Sequence, residues 1–132
     1  MLVEVTRVFT FDAAHALRDY DGPCGNLHGH TYRLEVTVKG EPDGRGIVVD
    51  FEDLKNLVRE AFLGPFLDHR FLNETLPVNT TAENMVVWFF DTWEERVARR
   101  LPGVRLERVV LWETPTAGAA LSRADWEAAR AR

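Results

Sequence analysis

The strongest constraint on the fold is an alternation: Tyr32, Leu34, Val36 and Val38 are apolar, while Thr31, Arg33, Glu35, Thr37 and Lys39 are polar. A period of two is that of a strand with one face on a core and the other in water. His28 and His30 share the parity of the apolar set. If the pleat reaches them, both imidazoles project from one face about two residue rises apart, where a single metal ion could meet them. From Val3 to Phe11 the odd positions Val3, Val5, Phe9 and Phe11 are apolar and Glu4, Thr6 and Thr10 polar, with Arg7 and Val8 as exceptions. This predicts a second half-buried strand. His15 continues its odd set, so pairing the two strands would bring His15, His28 and His30 together.

Between the strands, Arg18 to Asn26 collects Asp19, Asp21, Gly22, Pro23 and Gly25, and reads as a loop. Glu41 to Gly46 predicts a turn into a short strand at Ile47 to Val49. The period then becomes helical at Leu54, Leu57, Val58, Ala61 and Phe62, with Asp50 as N-cap and Gly64-Pro65 as the stop. Thr80, three residues before Glu83, forms a capping-box pattern that opens a second helix through Val86, Phe89, Phe90, Trp93 and Val97, ended by Pro102-Gly103. Val104 to Glu113 predicts a last long strand, followed by a turn region at Pro115 and Gly118 and a short helix in the tail from Ser122 to Arg132. This order suits an α+β fold, an antiparallel four-stranded sheet with two helices on one face. Its open edges would be covered by oligomerisation.

At 132 residues and 45% hydrophobic content the chain supports one core, hence a single domain over residues 1–132. The 21 acidic side chains outnumber the 16 basic ones, for a net charge of -5, and no basic stripe is present to track phosphates. Nucleic acid binding is disfavoured. Apolar runs fall far short of the roughly 20 residues that span a bilayer, and no leader pattern is seen. The expectation is a soluble, unprocessed protein with no membrane partner. The one cysteine, Cys24, cannot form an internal disulfide and favours a reducing cytoplasm.

Three neutral imidazoles match a catalytic zinc site with an open fourth position, although other transition ions also accept nitrogen ligands. Two alternatives stand beside this: separate histidines with no shared ion, or Cys24 as a fourth ligand closing a structural site. Cys24 lies in a turn, and a metal or imidazolium nearby would lower its pKa and make it a base or nucleophile. His69 follows Asp68, an arrangement that can orient an imidazole for proton transfer or for a thiol hydrolase. The hydrolase reading leaves the other histidines unexplained. Glu113, near the end of the last strand, is either an exposed strand-end carboxylate or an acceptor for two parallel N–H bonds from a ligand such as a pterin or guanine edge.

Taken together, Phe11-Asp12-Ala13-Ala14-His15, Cys24-Gly25-Asn26-Leu27-His28-Gly29-His30, Leu67-Asp68-His69, Thr81-Ala82-Glu83-Asn84 and Trp112-Glu113-Thr114 resemble the 6-pyruvoyltetrahydropterin synthase and 6-carboxytetrahydropterin synthase family over nearly the whole chain. The resemblance implies zinc on His15, His28 and His30, and Cys24 as catalytic thiol. It implies Asp68 and His69 as the proton-transfer pair, Glu113 as the anchor of the pterin ring, and Thr81 in the pterin-contacting helix start. The implied fold is the tunnelling fold, whose sheets join between subunits into a β-barrel with active sites between chains, here a homohexamer made of two trimers.

The implied substrate is 7,8-dihydroneopterin triphosphate. The short spacing from Cys24 to His28-Gly29-His30 resembles the carboxy-forming branch of the queuosine pathway more than the pyruvoyl-forming branch. The first would release acetaldehyde as well as triphosphate; the second would retain the three-carbon side chain. A non-catalytic pterin-binding or zinc-stabilised module is the alternative from another class. Arg70 stands where many relatives have a second histidine, and Thr80 where a proline often precedes the motif threonine. Arg70 and Arg18 are candidates for triphosphate contact or simply solvated arginines.

Overall fold

In a computed structural model, which describes residues 1–131, two long strands form the backbone of the sheet. Strand β1, Val3–His15, pairs antiparallel with β2, His28–Gly40, in unbroken register from Val3↔Gly40 to His15↔His28. Both strands run further toward the histidines than the alternation alone required. The helix α1, Phe51–Val58, follows, capped by the Asp50 carboxylate on the Glu52 and Asp53 amides.

Gly64-Pro65 does not end this helix as predicted. The chain continues as a π-helical segment, Arg59–Leu67, that includes Pro65 and buries Phe62, Leu63 and Leu67. Its wider turn closes with the Asp68 amide donating to the Leu63 carbonyl at 2.7 Å, and the Arg70 guanidinium donates to the Gly64 carbonyl at 2.8 and 3.2 Å. Burial of three large side chains, about 1.5–3 kcal/mol each, outweighs the local proline penalty.

A two-residue strand β3, Arg70–Phe71, lies parallel to β1 and leads into the single turn α2, Leu72–Thr75. Helix α3, Ala82–Arg96, carries most of the helical core. Its N-cap is Thr81, whose hydroxyl accepts the Asn84 amide at 3.1 Å. Thr80, the predicted cap, is instead fully buried. Strand β4, Val104–Thr114, pairs with β2 through a bulge near Thr37 and Val38. That bulge explains why its buried residues, Leu106, Val109 and Leu111, slip phase. Strand β5, Ala117–Ser122, and helix α4, Arg123–Arg130, complete the described chain. The predicted tail helix forms, with Arg132 outside the described residues.

The sheet order is β3-β1-β2-β4-β5, five strands rather than the expected four. The segment 47–49 is not a strand, because its first backbone groups close the Asp43 turn: Asp43 N donates to Ile47 O, and Ile47 N to Asp43 Oδ1. β5 was hidden in an Ala-Gly-Ala-Ala run of weak strand propensity. Gly118 is required there, since a Cβ would lie 2.7 Å from the Leu111 carbonyl oxygen and 2.8 Å from the Trp112 ring. One core joins Phe9, Phe11 and Ala13 of β1 and Tyr32, Leu34, Val36 and Val38 of β2 to the buried faces of α1 and α3. The two long helices therefore cover one sheet face, as expected. Among the described residues no helix is long and apolar enough to cross a membrane.

Candidate active site

His15 ends β1 and His28 begins β2; they are direct cross-strand partners, while His30 pairs with Ala13. All three follow the core-facing parity, so the pleat carries them to one end of the buried face. Their nearest ring nitrogens all lie within 4.8 Å of one another. His15 is fully buried, and His28 and His30 are half-buried.

The ring orientations are set by backbone carbonyls. His15 Nδ1 lies 2.9 Å from the Thr80 carbonyl oxygen, and His28 Nδ1 lies 2.7 Å from the Asn26 carbonyl oxygen. A carbonyl only accepts, so each Nδ1 carries a proton, and in the neutral form of either ring it is Nε2 whose lone pair faces the cluster. Those two Nε2 atoms stand 3.0 Å apart. Among the described residues His30 Nε2 is buried with no hydrogen-bond partner. Burial pushes His15 and His30 below the usual imidazole range, despite the opposing pull of Thr80 on His15 and of Glu113 on both. Three imidazole nitrogens gathered this closely can share one cation, and this donor set fits a divalent transition metal.

Glu113, near the end of β4, sets Oε1 3.5 Å from His15 Nε2 and 3.9 Å from His30 Nε2. It borders the cluster rather than standing free in solvent. The Cys24 thiol does not join the group, so the closed four-ligand site does not form here. Cys24 occupies a half-buried 3₁₀ turn, Pro23–Gly25.

Asp68 and His69 form a dyad: His69 Nδ1–H donates to Asp68 Oδ1 at 2.9 Å. The dyad is fixed to β1, because the Asp12 amide donates to Asp68 Oδ1 at 3.3 Å and the His69 amide to the Asp12 carbonyl at 2.6 Å. His69 holds φ of 57°, a left-handed conformation that a non-glycine residue keeps only where its surroundings impose it. The exposed imidazole lines an open groove of about 630 Å³ that also includes Asp12, Gly29, His30 and Thr31. Among the described residues no hydrogen bond joins Cys24 Sγ to this dyad. Thr81 presents its hydroxyl at the start of α3 while capping Asn84.

The sequence pattern missed Thr80, whose carbonyl and Oγ1 (3.2 Å) hold His15. It also missed Asn26 behind His28. Neither signals itself, because Asn26 acts through its main-chain carbonyl and Thr80 reaches His15 from 65 positions along the chain.

Fold and site together define a small α+β protein with three imidazoles gathered at the end of a β-hairpin, where they could hold a metal ion. The chain belongs to the 6-pyruvoyl tetrahydropterin synthase family, whose model matches residues 4–124. It is 34% identical to the 6-carboxy-5,6,7,8-tetrahydropterin synthase of Haemophilus influenzae, over 87% of this chain and 95% of that one. It is 44% identical to the dihydroneopterin monophosphate aldolase of Pyrococcus furiosus, over 79% and 83%. Among solved structures, the 6-pyruvoyl tetrahydropterin synthase of Caenorhabditis elegans superposes with a TM-score of 0.77 at 27% identity, covering 92% of this chain and 96% of that one.

Proposed function

We propose that this chain converts 7,8-dihydroneopterin triphosphate and one water to 6-carboxy-5,6,7,8-tetrahydropterin, releasing triphosphate and acetaldehyde, in the route to queuosine and related 7-deazapurines. The observation that carries the reading is the cluster of His15, His28 and His30, whose nearest ring nitrogens lie within 4.8 Å of one another beside Glu113. The Haemophilus influenzae relative, aligned over nearly its whole length, supports the branch.

The three histidines would hold Zn²⁺, which supplies Lewis-acid polarisation of the substrate's side-chain hydroxyls. Cys24 acts as the base at the side chain. His69, with Nδ1–H committed to Asp68, keeps Nε2 to take up and return a proton, and the carboxylate stabilises the imidazolium that results. Glu113 accepts N–H bonds from the pterin ring, and its position 3.5 Å from His15 Nε2 brings the held ring to the edge of the metal site. Thr81 retains its hydroxyl hydrogen for a ring acceptor. Because Cys24 and the Asp68–His69 dyad make no hydrogen bond within one chain, the reading joins them across subunits. The assembly is a homohexamer of two trimers, sheet edges closing into a β-barrel, in the cytoplasm.

A second reading, aldol cleavage of a dihydroneopterin monophosphate side chain, is favoured by the 44% identity to the Pyrococcus furiosus aldolase. Mass-resolved products from zinc-loaded wild type and Cys24→Ala, each given dihydroneopterin triphosphate and monophosphate, decide. Carboxytetrahydropterin plus acetaldehyde from the triphosphate, lost in the variant, is expected. A retained three-carbon side chain moves the chain to the pyruvoyl-forming branch, turnover of the monophosphate alone moves it to the aldolases, and no turnover leaves a binding module.

A further inference from the structure

Every residue from His15 to Arg18 has its main chain or ring tied down, and two of the four ties are asparagine side chains from far along the chain. His15 is held by Thr80. The Ala16 amide donates to Asn73 Oδ1 at 3.0 Å, while Asn73 Nδ2 donates to the Ala16 carbonyl at 2.7 Å. The Leu17 amide donates to the Cys24 carbonyl at 2.8 Å. The Arg18 amide donates to Asn79 Oδ1 at 2.9 Å, and Asn79 Nδ2 returns a bond to the Arg18 carbonyl at 3.3 Å.

Each asparagine thus exchanges two bonds with one residue, as a neighbouring strand would, on a segment that lies beyond the β1–β2 ladder. Alternate residues, 16 and 18, are clamped, while residue 17 between them carries the Cys24 turn through its amide. Asn79 is itself fixed, since Asn84 Nδ2 donates to its carbonyl at 3.0 Å, and it directly precedes Thr80, which orients His15. At the other end, Asn26 donates to the Pro23 carbonyl and accepts from His28 Nδ1.

We infer that Asn73 and Asn79 are positioning residues that set the Cys24 turn in register with the three-histidine centre. The inference rests on the proposed role of Cys24. Among the described residues neither asparagine side chain hydrogen-bonds a histidine of the cluster. They replace an absent strand with two amide clamps, so the thiol is placed by the frame that also orients His15. A base displaced by about 1 Å costs up to about a hundredfold in rate, which gives a double clamp a function beyond folding.

The test uses zinc-reconstituted full-length protein. Asn79→Ala removes both bonds to Arg18, and Asn79→Asp keeps the acceptor for its amide. For Asn79→Ala, amide hydrogen exchange in residues 16–26 is expected to speed up about tenfold or more, with metal content per chain unchanged. Its kcat should fall about tenfold or more and KM by less than about threefold. Asn79→Asp should lie between this variant and wild type in both readouts, and it carries the test if Asn79→Ala does not fold. Unchanged exchange in residues 16–26, or a loss of kcat matched by equal loss of metal, overturns the inference. Cys24→Ala separates the two claims. If it turns over at the wild-type rate while Asn79→Ala still loosens the loop, the clamp stands and the proposed role of Cys24 falls. If it is inactive while Asn79→Ala matches wild type throughout, the clamp falls alone.

Discussion

Replacing His30 by leucine, with and without zinc, tests whether the imidazole cluster is built around a cation. In the absence of metal, His15 Nε2 and His28 Nε2 face each other at 3.0 Å, and among the described residues His30 Nε2 is buried without a partner. An unpaired buried acceptor costs about 1–3 kcal/mol. His30→Leu removes one such acceptor and leaves an apolar side chain of similar size, so the metal-free variant should be at least as stable as metal-free wild type. Zinc inverts the order. Wild type gains about 4 kcal/mol at a thousandfold excess over Kd, whereas two imidazoles bind the ion far more weakly and gain little. At roughly 3–5 °C per kcal/mol for a domain of this size, zinc should raise the wild-type Tm by roughly 12–20 °C and that of the variant by less than about 5 °C. Calorimetry of both proteins in chelator and in zinc gives the four values. A variant that loses the same stability in both conditions would refute the argument, because the histidine would then be an ordinary packing residue.

In metal-free protein, burial holds His15 and His30 below their ordinary value of 6.5, so the unfolded chain binds up to about two more protons than the folded one below that pH. Their contribution is fully present above about pH 6.5 and is lost as pH falls toward the lowered folded values, with a slope of up to about 2.7 kcal/mol per pH unit. Urea midpoints measured from pH 7.5 down to 5 should fall accordingly, and a flat profile would contradict it. A Cβ at Gly25 would lie 2.5 Å from the Tyr20 carbonyl oxygen, a backbone atom that cannot swing aside. Gly25→Ala should therefore cost about 1–3 kcal/mol and shift the Cys24 turn enough to lower kcat about tenfold. Gly44→Ala, whose Cβ meets nothing within 4 Å, should change neither; equal melting and turnover for the two variants would sink the idea.

The histidine cluster was legible because its members share the period of the core: His15 extends the parity of Phe9 and Phe11, and His28 and His30 that of Tyr32 and Leu34. What escaped depends on partners distant in sequence. β3 is two residues long and forms only because β1 is beside it, and β5 takes its conformation from β4 despite an alanine-rich run. The helix past Pro65 follows from burial of Phe62, Leu63 and Leu67, which no local stop signal encodes. The capping-box spacing favours Thr80, with Glu83 three residues on, over Thr81, which has Asn84 there. The turn geometry decides, freeing Thr80 to hold His15. The asparagine clamps bridge 57 and 61 positions, and no pattern along the chain points to them.

Register makes core packing and ligand placement a single constraint. His15↔His28 and Ala13↔His30 are consecutive inward pairs of the same ladder that sets Phe11 opposite Tyr32, whose rings stack at 4.9 Å and 7°. A one-residue slip would turn every side chain of one strand to the other face. It would separate the imidazoles and also expose Phe9, Phe11 and Ala13, or Tyr32, Leu34, Val36 and Val38, depending on which strand moved. At about 1.5–3 kcal/mol for each large apolar side chain, that loss equals much of the stability of a domain this size. The hairpin therefore holds the three Nε2 atoms together with or without an ion. Metal removal should lower the melting temperature while leaving the far-ultraviolet spectrum of the sheet in place; a metal-free protein lacking that spectrum would show instead that the ion, and not the core, sets the register.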